Sequence, residues 1–192
     1  MIDVKIKIPK AYLTNKRKTL YHNFSNAIRD LKLMKKVKLV WIKVRRSLKK
    51  DIEIDYSKLD KGIIVVTTGR QSALLDENNV YHEIGHVYDA VFNSLDFSAT
   101  HPKDFLLRGI TGIILNMSLD GRLAKMGLPH IYRNERRKSI LIFYDIAAKR
   151  RYKLIDREKF LHILMKFWGK DFKSPSELLQ ESGCLIKKLK AE

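Results

Sequence analysis

The sequence predicts an α+β fold: a small twisted β-sheet with one helix, followed by a helical half. Two observations predict it. Up to about residue 75, short β-branched runs alternate with a single stretch of helical period. From about residue 76 the apolar spacing is helical and stays so to the end. The 192 residues are enough for one domain with a substantial core. The expected organisation is therefore a single domain over 1–192, with an α/β half at 1–75 and a helical half at 76–192.

Each element has its own signal. Residues 2–8 read as a strand, with Ile2, Val4, Ile6 and Ile8 on one face. Thr14 or Asn15 can cap a helix running to about residue 33, whose apolar positions are Leu20, Phe24, Ala27 and Leu31. Residues 37–44 read as a second strand and 51–55 as a short acidic one. Residues 62–68 are apolar enough to predict a strand buried on both faces. Helices are predicted at 77–94, 103–126, 134–150, 154–168 and 175–190, with Gly127 and Pro129 stopping the second of these.

Charge and composition narrow the function classes. No apolar run is long enough to cross a bilayer, and the alternating start lacks the continuous apolar stretch of a secretory signal. The single cysteine, Cys184, allows no internal disulfide and reads best as a small core residue of the last helix. A reducing, cytoplasmic location is the expectation. The net charge of +18 is uneven: residues 1–50 carry 16 Lys+Arg against two acids, whereas residues 51–120 carry five against 11. Residues 121–192 are basic again. Basic flanks of this strength can attract nucleic acid non-specifically through phosphates. The helix at 14–33 and the cluster Lys35, Lys36, Arg45, Arg46, Lys49 and Lys50 would carry that contact. A solvated lysine-rich surface is the plainer account.

The acidic middle holds the sharpest motif, His82-Glu83-Ile84-Gly85-His86. Residues four apart share a helical face, so both imidazoles can meet one tetrahedral zinc. Glu83 can then act as general base toward the water that zinc, as Lewis acid, activates. With six histidines, a chance HExxH has odds on the order of one in a hundred. Without a metal, the pair reads as two surface histidines on an amphipathic helix.

A catalytic zinc needs a third protein ligand. Asp89 continues the histidine face, but it lies about 10.5 Å along the axis from His82 at 1.5 Å per residue. It reads as a supporting or structural carboxylate. The helix at 103–126 offers Asp120, a carboxylate on an otherwise apolar stripe of Leu106, Ile110, Ile113 and Met117. Asn116, one turn earlier, could support it. Asp120 is either the third ligand or the partner of an arginine such as Arg122 or Arg108. Asp145 is the reserve and Glu135 ranks lower. Tyr132, His130 and Tyr144 are candidates to stabilise an oxyanion, although such residues are more often structural.

Residues 62–127 resemble the catalytic core of the zincins, the HExxH zinc metallopeptidases. The corresponding parts are the strand at 62–68, the helix bearing His82 to His86, and a second helix bearing residues 115–120. In the gluzincin branch that second helix supplies a glutamate ligand, so the resemblance implies Asp120 in its place. It also implies one Zn2+ per chain, peptide or protein substrates, and a sheet edge that pairs with extended substrate. Residues 37–44, 51–55 and 62–68 are each open as that edge. The alternative is a basic nucleic-acid-binding protein whose zinc site is structural or lost. The two readings combine in a peptidase acting on DNA-bound proteins.

Overall fold

A computed structural model describes residues 5–8, 14–45, 52–93, 95 and 102–190. Over these residues the architecture is α+β, a four-stranded mixed sheet with six α-helices. Strand β1 (Lys5–Lys7) leads through helix α1 (Thr14–Asp30) to β2 (Leu39–Val44). Then come β3 (Ile52–Asp55), β4 (Ile63–Thr68) and α2 (Glu77–Phe92). Four more helices follow: α3 (Phe105–Lys125), α4 (Arg133–Lys149), α5 (Arg157–Met165) and α6 (Pro175–Leu189). Ile2, Val4, Asp51, Arg46, Lys49 and Lys50 lie outside the described residues. Two 3-10 turns, Leu59–Lys61 and Gln71–Leu75, have no periodicity that would announce them. No helix among the described residues is long and apolar enough to cross a membrane.

Backbone packing divides the chain into two compact units, Met1–Tyr88 and Asp89–Glu192. The division falls inside α2, whereas the change of hydrophobic period falls at 75–76.

In the first unit the sheet order is β1-β2-β4-β3, with β1, β2 and β4 parallel and β3 antiparallel at the edge. A parallel pair cannot be joined by a tight turn, so α1 serves as the crossover between β1 and β2. Buried hydrophobics come from Leu20, Phe24, Ala27 and Ile28 of α1 and from Val40, Ile42, Ile64 and Val66 of the sheet. Strand β4 is buried on one face only, since Ile63, Val65 and Thr67 remain half-buried. The expectation of burial on both faces therefore fails. A β-branched run satisfies a one-sided sheet as readily as a sandwiched strand, and apolarity alone does not separate them.

In the second unit α3 is the central helix, buried around most of its circumference at Leu106, Ile110, Ile114, Leu115, Met117, Leu119 and Leu123. Caps fix the ends of its elements. Asp104 accepts from Leu107 N–H at 2.7 Å, and Ser174 with Pro175 opens α6. Gly121 lets the turn after α5 lie directly on α3: a Cβ there would come within 2.1 Å of Gly169 N. Gly169, at φ +68°, donates its N–H to Met117 O at 3.1 Å. Cys184 is exposed on α6 rather than in the core, because the amphipathic helix turns position 184 away from Leu178, Leu185 and Leu189.

Candidate metal centre

Helix α2 places the histidines. Asp76 precedes it and accepts from Asn78 N–H at 3.0 Å, satisfying one of the open donors of the first turn. Val80, Tyr81, Ile84 and Val87 are buried. Tyr81 also ties α2 to the end of α1, its hydroxyl donating to Asp30 Oδ2 at 2.5 Å. Burial, then this hydrogen bond and the Asp30 charge, raise the Tyr81 phenol well above its ordinary value. For Asp30, burial pushes the carboxyl up. The hydrogen bonds from Tyr81 and Arg29 and the Arg29 charge outweigh it and leave the pKa below its ordinary value of 3.8.

With that face committed to the core, His82 and His86 share the next one. His82 is 5 % exposed and His86 is half-buried. Their Nε2 atoms lie 3.2 Å apart, with the ring planes at 83°. Two nitrogens on one tetrahedral zinc, at Zn–N distances of about 2.0–2.1 Å, are separated by about 3.3 Å. The observed spacing fits that donor pair. It equally fits an N–H···N hydrogen bond, in which a proton occupies the place a cation would take. Glu83 is half-buried beside them. Among the described residues, no group of three or more His, Cys, Asp or Glu side chains is arranged to hold a metal.

The acids singled out in the sequence are each engaged. Asp89, 1 % exposed, receives Arg122 in a bidentate pair, Nη1 to Oδ1 at 2.7 Å and Nη2 to Oδ2 at 2.6 Å. Asn93 adds a bond to Oδ1 at 2.8 Å. Asp120 is fully buried on the stripe where its charge looked anomalous. Its Oδ2 accepts from Arg136 Nε at 2.5 Å, and its Oδ1 accepts from Ile131 N–H at 3.3 Å. The arginine of this pair is Arg136, on α4. Asn116 is half-buried one turn before it. Asp145 is exposed and paired with Arg157, so its apparent anomaly was a surface ion pair.

The oxyanion candidates lie in the second unit. Tyr132 is exposed at the start of α4, where its N–H donates to Glu135 at 3.2 Å. His130 Nδ1 lies 2.9 Å from Leu128 O, and its ring packs edge-on against Tyr132 and Trp168. Tyr144 donates its hydroxyl to Ile155 O at 3.1 Å. Two features escaped the sequence reading. Arg136 could not be matched to Asp120 from spacing alone, since the two sit on different helices. Trp41, 45 % exposed, is visible in retrospect as the outward residue of an alternating strand.

No protein-family model, curated protein or solved structure matches this chain.

Proposed function

We propose that the chain is a zinc-dependent metallopeptidase of the zincin type, with His82 and His86 as ligands and Glu83 as general base. The observation that carries this reading is the 3.2 Å separation of the two Nε2 atoms within an HExxH helix. The resemblance to the zincins implies Asp120 as the third ligand; its carboxylate accepts from Arg136 and from Ile131 N–H. When bound, zinc supplies Lewis acidity and makes water a nucleophile near neutral pH. Glu83 takes the proton of the attacking water and returns it to the leaving amine. An extended substrate is proposed to pair with β3, since the other two strands considered, β2 and β4, lie inside the sheet.

The test is metal content and hydrolysis together. One zinc per chain is expected after purification with zinc. His82→Ala and His86→Ala should each abolish binding. Glu83→Gln should keep the zinc and lower peptide hydrolysis by about a hundredfold to ten-thousandfold. A protein that takes up no zinc even when supplemented would overturn the proposal. The second reading, nucleic-acid binding alone or combined with peptidase activity on DNA-bound proteins, is favoured by the net charge of +18.

A further inference from the structure

We propose that the open face of the sheet, centred on Trp41, binds single-stranded nucleic acid. The face is a product of strand register. Lys7 stands beside Trp41, and Lys5 beside Leu39, on adjacent parallel strands. Neighbouring residues in register project from the same side. Lys43, two residues beyond Trp41, joins them, while Val40 and Ile42 between them are buried on the opposite side. Lys5, Lys7 and Lys43 are all exposed.

The result is an indole among ammonium groups. Lys43 Nζ lies 4.2 Å from the centre of the Trp41 ring. Lys7, Trp41 and Lys43, together with Ile8, Ile42 and Val44, line a concavity of about 460 Å³ where β1 and β2 end. Leaving a large aromatic 45 % exposed forgoes burial that would stabilise the fold, and cations around it raise the local affinity for phosphate. A ligand presenting both a flat apolar ring and a phosphate matches the two together. Bases of a single strand stack on an aromatic while the adjoining phosphates meet lysines, whereas a duplex hides its base faces.

The face is also polarised. The row Lys7, Trp41, Val65, Asp55 runs across β1, β2, β4 and β3 from cation to anion. Glu53 follows on the same edge strand, opposite Thr67. A polyanion is therefore drawn to the β1–β2 half and repelled from β3. None of these residues belongs to the proposed metal centre, so the inference stands or falls separately from it.

The experiment uses the full chain and fluorescence anisotropy of a labelled oligothymidylate, with a duplex of equal length as control, at low salt. The single strand should bind more tightly. Trp41→Ala should weaken single-strand binding by about fivefold to a hundredfold and leave duplex binding nearly unchanged. Trp41→Phe should retain most of the affinity, because it keeps a ring for stacking. Lys7→Gln should weaken binding and flatten its salt dependence by about 0.7 in log–log slope for each phosphate it no longer neutralises. In a Trp168→Phe background the remaining emission, that of Trp41, should be quenched on binding. Circular dichroism checks that each variant is folded. Equal effects of Trp41→Ala on single strand and duplex would overturn the proposal. So would oligonucleotide binding that the folded variant leaves intact, or binding to anionic lipid vesicles with none to oligothymidylate.

Discussion

In the helical unit, Asp89 and Asp120 are each held by a guanidinium, Arg122 and Arg136. In the sheet-bearing unit, His82 and His86 turn their Nε2 atoms toward one another at 3.2 Å. The contrast is one of chemistry. A carboxylate and a guanidinium neutralise each other and complete a buried network. Two imidazoles carry no fixed opposite charges, and their converging nitrogens form a donor pair that a cation can complete. A similar contrast separates the surfaces. The second unit buries α3 nearly all round, whereas the first leaves one sheet face with an exposed indole and lysines.

The largest stability effect is expected at Asp120. Asp120→Asn removes the charge of a fully buried carboxylate that accepts from Arg136 and should cost about 3–5 kcal/mol in chemical denaturation. Measuring zinc affinity on the same variant sharpens the comparison. Loss of both stability and zinc gives Asp120 two roles, and unchanged zinc affinity confines it to the ion pair. Asp89→Asn should cost less, about 1.5–3 kcal/mol, because Asp171 Oδ1 lies 3.4 Å from Arg122 Nε and keeps some counter-charge there. An equal loss at the two sites would break the ranking.

Gly121→Ala probes packing in the helical unit without touching charge. Its Cβ would meet backbone of Gly169, which cannot swing aside like a side chain, so a loss of about 1–3 kcal/mol in thermal or denaturant unfolding is expected. The smallest effect belongs to the sheet-bearing unit. Tyr81→Phe removes one hydrogen bond to a half-buried carboxylate and should cost about 1 kcal/mol near neutral pH.

The Tyr81–Asp30 pair also has a pH signature. The Asp30 pKa is lowered on folding, so its contribution is full above 3.8 and is lost as pH falls through the folded value. The Tyr81 pKa is raised, so its contribution is full below 10.0 and declines as pH rises beyond that. Tyr81→Phe should flatten both limbs of the stability–pH curve. An unchanged acid limb would mean that Arg29 alone holds the Asp30 carboxylate.

Among the described residues, periodicity located each strand and α-helix to within a few residues, because alternation and the 3.6-residue repeat are local properties of a chain that must bury one face. It also set the two imidazoles four apart on α2 and put Glu83 between them, since helix geometry needs no distant partner to do so. What periodicity could not supply was pairing. Asp120 stood out as a buried charge, yet only the packing of α4 against α3 supplied Arg136 as its partner. Strand order decided that β3 is an edge and that β2 and β4 are interior. Burial decided that the outward side of β2 stays in solvent, with Trp41 on it and Cys184 likewise exposed on α6. Those choices depend on packing between residues far apart in the chain, and spacing along one element contains no record of them.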